Sequence, residues 1–212
     1  MRLPRPRPAL VVTGLLVAGT VIWLLDGGHR MFRPKRLGVV EEGRIWRAGQ
    51  IHRRLLPDVL REHDIDVVID LARDEGDDAD EVAERQILDR LGVERLGFED
   101  LGGDGTGNLE SYVTAMRRLL DARDAGQHVL VHCAGGSERT GALVAWYRML
   151  FEGWSGDQAW DEYLSYRSKP PKDDVHPTYV NGHTDELVRR LEAEGVAIPH
   201  PHPGRFGPAG AK

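Results

Sequence analysis

One passage constrains this 212-residue chain more than any other: Val131–Gly141, VHCAGGSERTG, set between the apolar run His128–His132 and the apolar stretch Gly141–Phe151. A chain that leaves a buried strand, turns through Gly135 and Gly136, and enters a helix at Arg139 builds an anion cradle. Backbone N–H groups of Ala134, Gly135, Gly136, Ser137, Glu138 and Arg139 converge on one centre, and the helix start adds its positive dipole end. The two glycines permit backbone angles that a Cβ resists. Arg139 offers a planar fork matched to two oxygens of a tetrahedral phosphate. Cys133, the one cysteine of the chain, lies in the same field, which favours a nucleophilic thiolate. Thr140 is placed to donate a hydrogen bond to the sulfur and make it a better leaving group. His132 is expected to order the loop backbone from behind.

The surrounding sequence alternates strand-like and helix-like stretches. Strands are expected at Ile45–Arg47, Val67–Leu71, Arg95–Phe98 and His128–His132. The Val67–Leu71 run is continuously apolar, as in a strand covered on both faces. Helices are expected from Pro57 to His63, Glu81 to Leu91 (stopped by Gly92), Leu109 to Arg123 and Gly141 to Phe151. A capping box of Ser155 and Gln158 opens another, reaching Tyr166. A last helix over Thr178–Glu194 ends at Gly195. The fold class read from this alternation is α/β: a mostly parallel central sheet flanked by helices on both faces, preceded by one transmembrane helix. The domain reading is 1–30 for a basic tail and anchor, 37–196 for the catalytic domain, and 197–212 for a disordered tail, the last on its proline and glycine content.

His132-Cys133-(x5)-Arg139-Thr140-Gly141 resembles the signature of cysteine-dependent protein-tyrosine phosphatases, in the compact dual-specificity subgroup. Gly43-Arg44-Ile45-Trp46-Arg47-Ala48-Gly49-Gln50 and Val67–Leu71 are similar to segments of its bacterial members. The resemblance implies hydrolysis of phosphoprotein substrates through a cysteinyl phosphate, without a cofactor. It also implies an aspartate on a mobile loop that protonates the leaving oxygen and later activates water. Asp100 stands 33 positions before Cys133 and Asp104 stands 29 before it. Asp104, between glycines, is favoured over Asp100. Glu138 within the cradle is expected to repel highly anionic substrates such as inositol polyphosphates, whose phosphatases often carry lysines there. Two other readings compete: a phosphate-binding pseudophosphatase, and a sulfur-transfer enzyme in which Arg139 and Thr140 have no evident purpose.

Ala9–Leu25 is uncharged and about 26 Å long as a helix, enough to cross a thin bilayer. Asp26-Gly27-Gly28 follows it in place of a small-x-small cleavage site, so an uncleaved single-pass anchor in the cell membrane is expected, with the catalytic body on the extracytoplasmic side. Residues 1–36 hold seven of the 28 Lys and Arg but one of the 34 Asp and Glu. The remaining body is therefore acidic, which argues against nucleic acid as a partner. Nine histidines include no i, i+4 pair with a carboxylate on a credible helix, so no metal site is expected. The acidic run Asp74–Glu81 reads as a solvated loop leading into a helix N-terminus.

Overall fold

A computed structural model describes residues 31–72, 78–98, 100–168 and 175–207. The expected anchor Ala9–Leu25 lies outside them, and among the described residues no helix is long and apolar enough to cross a membrane. The compact unit that carries the motif begins at Pro34, three residues before the expected boundary.

Among the described residues five strands form one mixed sheet: β1 (Gly38–Glu41), β2 (Ile45–Gly49), β3 (Val67–Asp70), β4 (Glu94–Gly97) and β5 (Val129–Cys133), in the order β1-β2-β5-β3-β4. β5 runs parallel to β2 and β3, β4 runs parallel to β3, and β1 returns antiparallel to β2 at the edge. The β1 hairpin was not expected. Its burial is irregular along the strand, and it carries little of the alternation that marks a strand in sequence.

Among the described residues six helices flank the sheet: α1 (Leu56–Glu62), α2 (Ala79–Leu91), α3 (Leu109–Asp124), α4 (Glu138–Phe151), α5 (Gly156–Ser165) and α6 (Val175–Ala193). Alternation along the strands divides the core by face. Trp46, Ala48, Val68 and Leu130 pack with α1 and α2. Ile45, Val67, Ile69, Val129, Val131 and Cys133 pack with α3 to α6. The helix ends follow local chemistry. Asp78 caps α2, which stops at left-handed Gly92, and Asn108 caps α3. Ser155 and Gln158 form the capping box of α5.

The expected disordered tail is corrected over residues 197–207. Phe206 is fully buried against Trp160 and Tyr163, and its backbone N–H and C=O both bond Asn181 of α6. Gly156 approaches the Arg205 carbonyl so closely that an added Cβ would lie 1.8 Å from the oxygen. Burial of one aromatic ring and satisfaction of its peptide groups outweigh the loop-forming composition around it. Phe206→Ala is expected to lower unfolding stability by about 3–5 kcal/mol in a urea titration. A change below about 1 kcal/mol would remove the tail from the core.

Candidate active site

The site grows from the carboxyl end of β5, the central strand, where open α/β sheets commonly place ligands. Parallel pairing aligns Gly49 with Cys133, and both Ala48 and Asp70 with His132. The chain then turns through Ala134–Ser137 into α4. Gly136 has φ +75°, and an added Cβ would stand 2.4 Å from the Gly49 nitrogen, so only glycine fits this close approach. The Gly136 N–H donates to Cys133 Sγ at 3.1 Å. Arg47, buried and lying 3.7 Å over the Tyr166 ring, donates Nη2 to the Gly136 carbonyl at 3.1 Å.

Burial alone would raise the Cys133 thiol. The Thr140 hydroxyl and amide, the Arg139 guanidinium and the Gly136 amide outweigh it and hold the thiol below its ordinary value. Thr140 Oγ1 serves through proximity: it is buried, and no acceptor is aligned with it among the described residues. Arg139 is also buried, and its Nε and Nη1 have no hydrogen-bond partner among the described residues. Two orphan donors on a buried cation next to the Cys133 sulfur fit a tetrahedral oxyanion.

His132 does not bond the loop through its ring, contrary to expectation. Its side chain lies on the opposite face of β5 from Cys133, where Nε2 is 3.0 Å from Glu84 Oε1 and 3.7 Å from Asp70 Oδ1. Arg95 Nη2 donates to Asp70 Oδ2 at 2.6 Å, and Gln50 Nε2 donates to Glu84 Oε2 at 2.7 Å. Burial opposes charge on the imidazole, but the Glu84 and Asp70 carboxylates raise it to about 9. The ligand atoms of Asp70, Glu84 and His132 lie within 4.8 Å of one another, a spacing that a cation could bridge. Arg95 already supplies positive charge to both carboxylates, so the cluster reads as an internal ion network. Sequence reasoning missed Glu84, Asp70 and Arg95, because they come from α2, β3 and β4 and share no local pattern.

The cradle residue Glu138 is also corrected. Its carboxylate accepts from Tyr163 Oη at 2.5 Å and pairs with Arg167, so its charge is neutralised at the loop. His176 Nε2 donates to the Glu138 carbonyl at 3.0 Å and its ring stacks on Tyr163.

The two aspartates occupy different parts of one loop. Asp100 lies at the base, beside the Leu101–Gly107 bridge, with Oδ1 accepting from Ser111 Oγ at 2.5 Å and Oδ2 from Asn108 Nδ2 at 2.7 Å. Asp104 lies towards the tip, with Oδ1 accepting from Thr106 Oγ1 at 2.7 Å and from its N–H at 3.0 Å. These bonds lower both carboxyls, led by Ser111 for Asp100 and by Thr106 for Asp104. The tip is docked: Tyr112 Oη donates to the Gly105 carbonyl at 2.7 Å, and Tyr179 Oη donates to that of Gly107 at 2.8 Å. Burial first, then the neighbouring Tyr179, Cys133 and Asp104, push the Tyr112 phenol well up, with Arg139 opposing. The charges of Cys133, Arg139 and Asp104 are therefore all felt at Tyr112, whereas that of Asp100 is felt at Tyr179.

The His132–Glu84 pair sets a pH dependence of stability. Histidine raised in the fold stabilises fully below its unfolded value, 6.5, and loses that contribution as pH rises through about 9. Glu84 is lowered in the fold, as the Coulombic pull of His132 and its hydrogen bond outweigh burial. Its contribution is present above 4.5 and is lost as pH falls through its folded value. Glu84→Gln keeps the shape and removes the charge. Chemical unfolding at pH 6 and pH 9 is expected to show a stability difference between parent and Glu84→Gln that shrinks at the higher pH. A difference of equal size at both pH values would exclude a charged pair.

Residues 49–176 match the catalytic domain of dual specificity phosphatases. The chain is 30% identical over 92 residues to the dual specificity protein phosphatase TpbA of Pseudomonas aeruginosa, a stretch covering 42% of each chain. It is 27% identical over 100 residues to the inositol diphosphatase SIW14 of Saccharomyces cerevisiae, covering 44% of this chain and 35% of that one. The match therefore spans less than half the length of either curated relative. Among solved structures, the core catalytic domain of the PP-IP phosphatase SIW14 superposes with a TM-score of 0.63 at 18% identity, over 78% of this chain and 96% of that one. TpbA superposes at 0.55 and 21% identity, over 71% and 88%. PTPMT1 superposes at 0.59 and 18% identity, over 74% and 99%. At these identities the likeness is one of fold.

Proposed function

The chain belongs to the dual specificity phosphatase family, and on that premise we propose that it hydrolyses phosphotyrosine in proteins, with tolerance of phosphoserine and phosphothreonine, through a cysteinyl-phosphate intermediate. The observation that carries the reading is Arg139, buried beside Cys133 with Nε and Nη1 lacking partners among the described residues, so that guanidinium donors are left for a bound phosphate.

In the proposed reaction the Cys133 thiolate attacks phosphorus, the bond to the ester oxygen breaks, and Asp104 gives that oxygen its proton. Gly135, Gly136, Ser137 and Glu138 amides and the Arg139 fork hold the equatorial oxygens as charge develops on them. Asp104, now a carboxylate, takes a proton from water as the water oxygen attacks phosphorus, and the S–P bond breaks to return the thiolate and release phosphate. Thr140 stabilises the departing sulfur. The resting Asp104 carboxyl is lowered, but a dianionic ester bound nearby raises it and favours the protonated form that the first step uses. Asp100 is the weaker candidate, since Ser111 and Asn108 hold both its oxygens at the loop base.

A polyphosphorylated small molecule is a second reading. It is favoured by the pairing of Glu138 with Arg167, which removes the repulsion expected at the loop, and SIW14 is by its name an inositol diphosphatase. Phosphate release from a phosphotyrosine peptide and from a diphosphoinositol, compared at equal concentration, decides between the two. The proposal also keeps Ala9–Leu25 as a single-pass anchor in the cell membrane, with the catalytic unit on the extracytoplasmic side. It rests on that run's length and lack of charge.

Cys133→Ser is expected to abolish turnover of para-nitrophenyl phosphate while vanadate still binds, because the cradle is intact. Substantial residual turnover removes the nucleophile. Asp104→Asn is expected to slow phenyl phosphate by about 10²-fold or more and the nitrophenyl ester far less, since a general acid matters most for a basic leaving oxygen. If Asp100→Asn shows that dependence instead, the two residues exchange roles.

A further inference from the structure

The segment just before β1 touches the phosphate-binding turn. The Gly49 N–H, at the end of β2, donates to the Lys35 carbonyl at 2.7 Å, which lays Lys35 and Arg36 beside the turn. An added Cβ at Gly49 would lie 2.7 Å from the Gly135 oxygen and 2.8 Å from Lys35 Cδ, so segment, strand end and turn are stacked in direct contact. Lys35 Nζ donates to the Ala134 carbonyl at 2.7 Å, and Arg36 Nη1 to the Gly135 carbonyl at 2.5 Å. Arg47 holds the next carbonyl, that of Gly136. Three successive carbonyls are thus each held by a cationic side chain.

A trans peptide unit is rigid and planar, with its N–H pointing opposite its C=O. Holding the Ala134 carbonyl outward aims the Gly135 N–H inward, and holding the Gly135 carbonyl aims the Gly136 N–H, the one that reaches Cys133 Sγ. Arg36 has φ +50°, a left-handed conformation that is unfavourable for a residue with a Cβ. A strained residue persists where its surroundings over-determine it, and here the strain accompanies the contact with Gly135.

We infer that Lys35 and Arg36 are positioning residues of the phosphate loop, holding two of its peptide units carbonyl-outward so that the Gly135 and Gly136 N–H groups face the anion. The inference rests on the loop being the phosphate site. It extends the catalytic unit to a basic segment that lies outside the motif and outside the matched residues 49–176.

The test uses the full chain with orthophosphate as a competitive inhibitor of para-nitrophenyl phosphate turnover. The double variant Lys35→Met with Arg36→Met is expected to raise the phosphate inhibition constant by about tenfold, the scale of a lost charge-assisted hydrogen bond. A general loss of positive field would be screened at 1 M salt, where the Debye length is about 3 Å, whereas misaimed amides persist there. Lys35→Arg is expected to retain most of the affinity. Should the double variant fold poorly, Arg36→Gly carries the test. It relieves the left-handed strain, so it is expected to melt no earlier than the parent and still to bind phosphate more weakly. An inhibition constant within about twofold of the parent, or a loss that vanishes at 1 M salt, overturns the inference. Arg139→Lys separates this from failure of the underlying reading. If that variant keeps parental inhibition, the loop is not the phosphate site. If it loses inhibition while the Lys35 and Arg36 variants do not, only the inference fails.

Discussion

The site depends on a contest at one sulfur atom. Cys133 is almost wholly buried, and burial by itself favours the neutral, unreactive thiol. What reverses the balance is a set of donors at short range: the Gly136 amide, the Thr140 hydroxyl and amide, and the Arg139 guanidinium. None of these is strong alone, and each depends on orientation. The rest of the unit can be understood as the apparatus that fixes those orientations. β5 lies between two parallel neighbours, Gly49 and Gly136 bring backbone against backbone, and Arg47 holds a loop carbonyl from below.

A second charge system lies behind the first, across the sheet. His132 belongs to the motif, yet its ring is tied to Glu84 and Asp70, with Arg95 and Gln50 closing the network. Four ionisable side chains drawn from α2, β3, β4 and β5 thus meet just beneath the strand end that carries the cysteine. Removing one member would leave its partners buried and uncompensated, the situation that destabilises a buried network most. The motif histidine is in this way an attachment point between the reactive loop and the α1–α2 face of the core.

Much of this was legible in the sequence where the signal is local. The turn after β5 follows from Gly135, Gly136 and Arg139, the α5 boundary from Ser155 and Gln158, and the end of α2 from Gly92. Hydrophobic periodicity located α3 closely. The failures share one cause, pairing between distant residues. Glu138 reads as an exposed acid until Arg167 and Tyr163 are placed beside it. The tail reads as a loop because four prolines and three glycines dominate its average, whereas a single residue, Phe206, decides where it goes. Lys35 and Arg36 belong to no motif in the sequence, and only the fold sets them against the turn. The choice between Asp100 and Asp104 was open in sequence, since both stand at workable distances from Cys133. The bonds from Ser111 and Asn108 to Asp100 come from the start of α3 and could not be read from spacing alone.

The close approach of Gly136 to Gly49 also separates the turn from the Asp104 loop in the way each is held. With no side chain between them, the turn lies directly against the strand end, where the β2–β5 ladder closes at Gly49 and Cys133. Backbone packed this closely is expected to open with the sheet rather than alone. The Asp104 loop is held instead by side chains, from the Tyr112 and Tyr179 hydroxyls at its tip to Ser111 and Asn108 at its base, and by the Leu101–Gly107 bridge. The two sides of the site thus differ in what fixes them: backbone set against backbone holds the turn after Cys133, and side-chain hydrogen bonds hold the Asp104 loop.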